Sequence, residues 1–526
     1  MARLVLWAVD SLEKVAREAD PVPASDVVVV EACRNEYASG QVVVRADREV
    51  RDLRVSVSPL RHETTGATGV EARARFVGYR PIAANTPDTP EDEFDCVAPC
   101  LVPDPLLEEE SVRVEAGANQ PVWITFFLPA DAEPGRWTGR VEVSADGEKA
   151  ELPISLTVHP VTLPAEQHLW VTNWMNISNF ARFFGTEMYT PRFWQIVESF
   201  AANLAAHRQN IVEVPQTFVQ VFQEADGNLS FDFTHWDRWV DVFDRAGFKL
   251  FEGMSVARRG DGKWDNPWFD WLEFKVTKRS DGGEVKLDPV SVIERLLKAV
   301  RQHLIERGML DRYLLHVVDE PAPHTEADYK QKSALVHEWV PDVRYLEAMS
   351  CQDMRGHLDI WVPNIDHFDE TFPDYLKLRE ESGFELWFYT CMYPTGRYPN
   401  RFLDFSLLKT RILHWINWRY RLTGYLHWGL NFWTDKPFEE DRIREDLPPG
   451  DCWIVYPGKD GPLDSLRWEQ MREGLQDFEL LWLLGQRDPV KADEICMKIM
   501  PHPLTYARDW RALRAARREL VDALDL

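Results

Sequence analysis

Two adjacent carboxylates, Asp319 and Glu320, end the apolar run 313–318 and stand directly before Pro321. The length of the run and the closing proline favour a strand buried on both faces. Neighbouring acids repel each other and must be desolvated, which a fold tolerates where the pair does acid/base chemistry or is neutralised by partners. The alternative is that these acids only begin the helix that follows from Thr325, because acids are favoured at helix N-termini.

The elements that must position this pair lie between about residues 168 and 435, where strand-like runs alternate with helical ones. Eight runs indicate strands: 168–175, 210–215, 248–256, 313–318, 343–349, 358–362, 385–390 and 423–432. Helix-period apolar stripes lie at 193–205 and 293–304. Eight strands, most of them followed by a helix, predict a (β/α)8 TIM-type barrel. A doubly wound open sheet is the alternative, but no glycine-rich phosphate turn follows the first strand.

The C-terminal ends of barrel strands form the active site of such a fold. Acids, amides and aromatic residues occupy these ends here, and cations are few. The predicted substrate-binding residues are Trp174, Asn176, Glu213, Tyr389, Tyr393, Trp428, Asn431 and Trp433. Amides and acids bind hydroxyl groups, and flat rings cover the apolar face of a sugar. The predicted ligand is therefore a neutral carbohydrate, a glycoside or an oligosaccharide.

Other catalytic schemes lack their motifs. The sequence contains no Gly-x-Ser-x-Gly, no phosphate-loop motif and no His-Glu-x-x-His. His316 is predicted to be a hydrogen-bonded histidine of the core or pocket floor and not a metal ligand. Glycoside hydrolysis fits better, because it needs two carboxyl groups and no cofactor. We accordingly predict neither a metal nor a cofactor.

The first part of the chain has a different pattern from the rest. Residues 1–162 contain short, alternating, β-branched runs at intervals of about 12 residues, which predict an antiparallel β-sandwich. Residues 163–526 are predicted to form the barrel domain together with C-terminal helices. One helix has its apolar face between Met471 and Leu484; Asp464 or Ser465 can cap its start, and Gly485 can end it. A last helix is predicted over 506–524.

Composition narrows the partners and the compartment. A formal net charge of -26 argues against nucleic acid and anionic membrane surfaces. The sequence contains no run of about 18 apolar residues, so no transmembrane helix is predicted. The N-terminus is not a convincing signal peptide. The seven cysteines include no Cys-x-x-Cys pair, which predicts buried thiols in a reducing compartment and no disulfide framework. We expect a cytoplasmic monomer or homodimer.

Several motifs, in order along nearly the whole chain, resemble one known family. They are Arg34-Asn-Glu-Tyr37 with Gln41, Asp319-Glu-Pro321, the stretch 425–433, Tyr456-Pro-Gly458 and the stretch 465–481. The sequence carrying them is similar to glycoside hydrolase family 123 and its domain-of-unknown-function 4091 relatives. The resemblance implies a β-sandwich followed by a (β/α)8-type barrel. It also implies retaining exo-hydrolysis of β-linked N-acetylgalactosamine.

The implied mechanism is substrate-assisted, and it explains why the carboxylates are adjacent. The 2-acetamido oxygen of the sugar attacks the anomeric carbon and forms an oxazolinium intermediate. By the resemblance, Asp319 orients and stabilises the amide N–H, and Glu320 protonates the leaving oxygen. A tyrosine hydroxyl, from Tyr389 or Tyr393, would hold the acetamido oxygen.

Two other functions stay open at the level of sequence. One is a glycosidase for a sugar without the acetamido group, in which Glu320 is the acid and Glu213, Glu252 or Asp366 is a distant partner. The other is a non-catalytic carbohydrate-binding protein that keeps the barrel. Because consecutive side chains on a strand point to opposite faces, both carboxylates can enter one pocket only if the chain has turned at Glu320.

Overall fold

The computed structural model describes residues 3–20, 25–366 and 368–525, which form two compact units. The first unit comprises Met1–Leu169, Pro394–Arg421 and Gly429–Leu526, and the second comprises Trp170–Tyr393 and Leu422–Trp428. The first unit thus joins the C-terminal helices to the N-terminal strands. The predicted division into sequential domains at residues 162 and 163 stays a prediction.

The N-terminal strands of the first unit form two sheets. One sheet has the order Leu4–Val9, Glu36–Ala46, Asn119–Leu128, Glu71–Ile82, Cys100–Leu106. The other has the order Val28–Arg34, Glu148–Thr162, Gly135–Ala145, Val50–Val57, Val112–Val114, with Arg61–His62 beside Gly135–Ala145. Neighbours are antiparallel except Val28–Arg34 and Glu148–Thr162. One cluster of buried residues from both sheets, including Val42, Ile124, Val141 and Leu156, forms the core. The predicted antiparallel β-rich N-terminal domain is confirmed.

Asp146 and Gly147 form a hairpin turn between the strands Gly135–Ala145 and Glu148–Thr162. Both residues have positive φ, 50° and 89°, as a two-residue turn between right-twisted strands requires. Ala145 and Glu148 pair directly across the turn. The short Asp-Gly signal therefore determined the register of the two longest neighbouring strands in that sheet.

Helices complete the first unit: Leu407–Arg411, Leu413–Tyr420, Leu466–Arg487, Pro489–Ile499 and Trp510–Asp525, with a short strand pair Tyr456–Pro457 and Pro462–Leu463. The Ser465 hydroxyl caps its helix by accepting from the Trp468 backbone N–H at 3.1 Å. The predicted helix end at Gly485 is wrong, because the helix continues to Arg487. Residue 485 has no room for a side chain, since a Cβ there would overlap the Trp418 ring. Gly485 thus permits close packing and does not end the helix.

A buried charge network, which we call the Asp477 network, holds these helices to the strands of the first unit. Asp477 accepts from Arg411 Nε at 2.7 Å and from Arg517 Nε at 2.9 Å. Arg411 also donates to Glu473, and Arg517 donates to Glu36. The two family-like motifs around residues 34–37 and 465–481 therefore contact each other, although more than 400 residues separate them in sequence.

Parallel strands form the centre of the second unit. A six-stranded sheet has the order Ile211–Val214, Leu250–Gly253, Tyr313–Leu315, Arg344–Met349, Ile360–Pro363, Glu385–Leu386. A three-stranded sheet has the order Trp170–Asn173, Gly424–His427, Phe388–Tyr389. Every ladder in both sheets is parallel. Each of the eight predicted strands overlaps an observed one, and the predicted strand 385–390 holds two, Glu385–Leu386 and Phe388–Tyr389. The predicted α/β region is confirmed.

Helices alternate with these strands: Ser178–Phe184, Pro191–Ala206, Thr234–Ala246, Pro289–Glu306, Glu326–Trp339 and Phe372–Ser382. The two predicted apolar stripes lie in Pro191–Ala206 and Pro289–Glu306. Thr190 and Asp288 cap these two helices by accepting from Phe193 N at 3.3 Å and Ser291 N at 2.9 Å. Further short strands lie outside the two central sheets: Gln220–Gln223, Leu229–Asp232, Ala257–Arg259, Phe269–Trp271, Val276–Lys278 and Glu284–Val285. Among the described residues, no helix has the length and apolarity needed to cross a membrane.

One cysteine pair departs from the prediction. Cys96 and Cys100 form a disulfide, with their Cα atoms 6.5 Å apart, within the range that a disulfide spans. The expectation that all seven cysteines are thiols is therefore wrong for this pair. Cys33, Cys351, Cys452 and Cys496 are buried thiols, as predicted, and Cys391 is a half-buried one.

Candidate active site

The chain turns sharply at Glu320. The strand that leads to it ends at Leu315, three residues earlier than predicted. Glu320 has φ of 52°, in the left-handed region that costs a non-glycine residue about 1–2 kcal/mol. Because strand alternation has stopped before residue 319, the side chains of Asp319 and Glu320 are not forced to opposite faces.

Hydrogen bonds from neighbouring elements stabilise this turn. Glu347 Oε1 accepts from the backbone N–H groups of Val317 and Val318, at 2.6 and 3.0 Å. The Arg259 guanidinium donates to the backbone carbonyl of Glu320. Ser350 N donates to the carbonyl of Pro321 at 3.0 Å. The left-handed turn that presents the two carboxylates is therefore stabilised by hydrogen bonds with Glu347, Arg259 and Ser350.

His316 precedes the turn in sequence. Its buried side chain lies between those of Glu252 and Glu347. His316 Nε2 is 2.6 Å from Glu252 Oε1, and His316 Nδ1 is 2.8 Å from Glu347 Oε2. Burial opposes the charged imidazole, but the two carboxylates raise the pKa of His316 well above its ordinary value. Both ring nitrogens are thus engaged, as predicted for a core histidine, and neither can ligate a metal.

Asp319 binds a proton unusually tightly. Its side chain is accessible to solvent, but the dense protein around the carboxylate desolvates it. This desolvation, with the charges of Glu320 and Glu347, raises the pKa of Asp319 to about 8, against the opposing effect of His316 and Arg259. At neutral pH Asp319 therefore holds a proton next to Glu320, and acid catalysis needs such a proton.

Tyr389 contacts the pair directly. Its hydroxyl donates to Glu320 Oε1 at 2.7 Å. Burial and the Glu320 charge raise the pKa of Tyr389 well above its ordinary value, so the hydroxyl keeps its proton. The Tyr393 side chain is exposed, and the backbone carbonyl of Tyr393 accepts a hydrogen bond from Cys391 N at 2.8 Å. Of the two predicted tyrosines, Tyr389 is the one that reaches the carboxylates.

Two further predicted residues belong to the same cluster. The Trp174 indole donates to Glu252 Oε1 at 2.9 Å and meets the His316 ring edge-to-face at 5.7 Å. Glu213 is half-buried, and burial with the nearby Glu252 charge raises its pKa well above the ordinary value. Asp319 adds to that effect, so Glu213 lies within electrostatic reach of the pair.

The other predicted substrate-binding residues have different surroundings. Asn176 forms a local turn directly before the helix Ser178–Phe184, because its side-chain oxygen accepts from Ser178 N at 3.1 Å. Trp428 directly follows the strand Gly424–His427 and is partly exposed. Asn431 and Trp433 are buried in the first unit, where the Trp433 indole donates to the Val455 carbonyl at 2.7 Å. The predicted strand end at 432 is actually His427, and a role for these two in substrate binding stays a prediction.

Arg259 is the residue that the sequence did not indicate. It lies in the short strand Ala257–Arg259, which comes between the central strands Leu250–Gly253 and Tyr313–Leu315 in sequence. No periodic pattern marks this position. The sequence does contain a signal for the partners of His316. Glu252 and Glu347 are single acids inside apolar strands, and these two strands flank the strand Tyr313–Leu315 that leads to His316. A buried acid in each neighbouring strand predicts a charged partner between them.

Comparisons with known proteins identify the family of the chain. The sequence profile of the glycoside hydrolase 123 catalytic domain matches residues 174–484, and that of the glycoside hydrolase 123 N-terminal domain matches residues 11–145. No curated protein matches the chain. A similar solved structure is a family 123 glycoside hydrolase from Clostridium perfringens, from a structural analysis of glycolipid glycan hydrolysis. Its TM-score is 0.74 at 16% identity, over 99% of this chain and 97% of that one.

Other solved structures are much less similar. A β-D-glucuronidase from Dictyoglomus thermophilum has a TM-score of 0.33 at 8% identity, over 85% of this chain and 66% of that one. An endo-β-1,4-mannanase from Thermotoga petrophila has a TM-score of 0.34 at 9% identity, over 60% and 78%. These two similarities carry no argument about function. The family profile covers more than half of the chain, and the chain therefore belongs to glycoside hydrolase family 123.

Proposed function

We propose that this protein is a retaining exo-glycosidase that removes a terminal β-linked N-acetylhexosamine, of the N-acetylgalactosamine type, by substrate-assisted catalysis. The observation that carries the proposal is the adjacent pair, Asp319 and Glu320, presented by a left-handed turn, with the Tyr389 hydroxyl donating to Glu320. A conventional retaining mechanism needs two carboxyl groups about 5 Å apart on opposite sides of the bond. Adjacent carboxylates on one turn suit a mechanism in which the substrate supplies the nucleophile.

In the first step the 2-acetamido oxygen attacks the anomeric carbon as the bond to the leaving oxygen breaks. Glu320 gives its proton to that oxygen, and Asp319 accepts a hydrogen bond from the acetamide N–H of the forming oxazolinium ion. In the second step water attacks the anomeric carbon and returns a proton to Glu320. The acetamide is restored, and the configuration at the anomeric carbon is retained.

The proton must be on Glu320 when the bond breaks. In the free protein Asp319 binds it tightly, and Tyr389 donates its hydroxyl proton to Glu320. A substrate amide N–H that donates to Asp319 favours the ionised form of that carboxyl. If the Tyr389 hydroxyl then turns to the acetamido oxygen, Glu320 loses its donor and takes up the proton of the pair.

We further propose that the parallel strands of the second unit make one (β/α)8 barrel, in which Glu385–Leu386 and Phe388–Tyr389 together count as the seventh of eight strands. Gly424–His427 pairs with both Trp170–Asn173 and Phe388–Tyr389, which are the first and seventh strands of that count. The Asn210 side chain accepts from Val171 N at 2.9 Å, where the first strand approaches the second. The carboxylate pair would then follow the fourth strand, at the face where barrel enzymes have their active sites.

A panel of p-nitrophenyl β-glycosides tests the proposed reaction. We expect cleavage of the N-acetylgalactosaminide and inhibition by a thiazoline that mimics the oxazolinium ion. The glycan of a glycolipid belongs in the panel, because the similar Clostridium perfringens enzyme is described with such glycans. Equal cleavage of the 2-hydroxy galactoside, without thiazoline inhibition, would contradict substrate assistance.

That contrary result would favour the conventional glycosidase, for which one observation speaks. Glu213 lies within electrostatic reach of Asp319 and is only half-buried, so it could face a substrate. Glu252 cannot take that role, because it is fully buried and accepts from Thr172, Trp174 and His316. Glu213→Gln would then abolish activity on the galactoside, whereas the substrate-assisted mechanism does not need this carboxylate for attack.

A further inference from the structure

Two tryptophans of the second unit are exposed although the fold buries or half-buries the rest. Among the described residues, which include all 22 tryptophans, only Trp264 and Trp268 are exposed, by 52% and 42%. Both lie between the paired strands Ala257–Arg259 and Phe269–Trp271, which we call the 257–271 hairpin. Large aromatic surface left in water is unfavourable unless it serves binding.

The 257–271 hairpin is tied to the chain around the carboxylate pair at three points. Arg259 donates to the Glu320 carbonyl. The His324 ring nitrogen Nε2 is 2.8 Å from the Trp264 carbonyl, and Phe269 N donates to Asp328 Oδ2 at 2.7 Å. The exposed tryptophans therefore have a defined position relative to Glu320, through contacts that all lie within the second unit.

The Trp264 indole is only partly covered. The Arg259 guanidinium carbon lies 3.9 Å from the ring centroid of Trp264, and the His324 ring meets the indole edge-on at 5.8 Å. About half of Trp264 stays exposed. This exposed part is an apolar surface next to Arg259, the residue that anchors the Glu320 backbone.

Trp268 is fixed in a similar way. Residue 260 must be glycine, because a Cβ there would overlap the Trp268 indole. Asn266 donates to the Gly260 carbonyl at 2.5 Å and closes the same turn. The hairpin is thus built to display rings, and its backbone is not a loose loop.

We propose that Trp264, supported by Trp268 on the same hairpin, forms a leaving-group subsite that stacks on the apolar face of a neutral sugar ring. This inference rests on the proposed function, in which Glu320 protonates the leaving oxygen and so marks the side of the leaving group. The hairpin is attached to that residue through Arg259. The acids of the pair disfavour an anionic leaving group, and a flat indole suits a pyranose ring.

The proposal specifies the substrate class as an oligosaccharide whose terminal N-acetylhexosamine is attached to another sugar. The test compares a disaccharide of β-N-acetylgalactosamine on galactose with β-N-acetylgalactosaminyl fluoride, whose leaving group has no ring. We expect Trp264→Ala to lower kcat/KM about tenfold on the disaccharide, the size of one ring-stacking contact. We expect no change on the fluoride.

Two variants make the comparison specific. Trp264→Phe keeps a ring next to Arg259 and should retain most of the activity of the unaltered enzyme on the disaccharide. Leu335→Ala removes a similarly exposed apolar side chain from the helix Glu326–Trp339 and should change neither rate. An equal loss on both substrates by the two Trp264 variants, or no loss on either, would overturn the subsite. If the unaltered enzyme cleaves neither substrate, the proposed function itself fails.

Discussion

Two groups of charged side chains in this protein differ in how well acids are matched by cations. In the Asp477 network of the first unit, three carboxylates face two arginines: Glu36, Glu473 and Asp477 with Arg411 and Arg517. In the active site of the second unit, five carboxylates face one histidine and one arginine: Glu213, Glu252, Asp319, Glu320 and Glu347 with His316 and Arg259. The first group contains nearly matched charges, and the second contains an excess of acid.

The difference appears in the pKa of one residue type. Burial would raise the pKa of Asp477, but the charges and hydrogen bonds of Arg411 and Arg517 lower it. Desolvation and neighbouring acids raise the pKa of Asp319 to about 8. Asp477, matched by two arginines, thus stays ionised, whereas the unmatched Asp319 retains a proton that a reaction can use.

The largest effect is expected for Glu320→Gln. On a substrate with a poor leaving group, loss of the general acid should lower kcat/KM by about a thousandfold. On an activated aryl glycoside the loss should be much smaller, because that leaving group needs little protonation. Steady-state kinetics on both substrates measure the difference, with the exposed Glu338→Gln as control. The same loss on both substrates would show that Glu320 is not the acid.

Asp477→Asn tests the matched group. Breaking a buried ion pair leaves Arg411 and Arg517 without a full partner, and should lower the free energy of unfolding by about 3–5 kcal/mol. Urea denaturation measures it, with the exposed Asp522→Asn as control. A neutral result would mean that Glu36 and Glu473 alone balance the two arginines.

The pH dependence of activity tests the unmatched group. Because the pKa of Asp319 is raised to about 8 and the proposed mechanism passes this proton to Glu320, kcat/KM should fall as pH rises above about 8, roughly tenfold per pH unit. A pH series with an activated and an unactivated substrate measures this limb. Activity that stays constant to about pH 10 would show that the pair does not supply the proton.

Asp319→Asn should have the smallest effect, and its sign is opposite to that of Asp477→Asn. The folded protein keeps the Asp319 proton up to about pH 8, whereas the unfolded chain releases it near pH 4. Stability therefore falls as pH rises through that window, by about 1 kcal/mol after allowing for solvent screening of an exposed group. The variant avoids this loss and should be the more stable protein at about pH 9, in urea denaturation. Destabilisation at that pH would remove the contrast between the two groups.

The sequence by itself determined the features that depend on local pattern. Alternating β-branched runs located the strands of the N-terminal domain, and apolar runs located the parallel strands of the second unit. The adjacency of Asp319 and Glu320 at a strand end, together with the ordered family motifs, indicated the site and the family. Side-chain periodicity and local turn chemistry need no knowledge of distant residues.

Only the tertiary structure decided which distant groups meet. It selected Tyr389 over Tyr393, brought Arg259 to the Glu320 carbonyl, and joined Glu252 and Glu347 through His316. Desolvation and the charges of non-local neighbours determine a pKa, so no stretch of sequence shows that Asp319 keeps its proton or that Asp477 loses it.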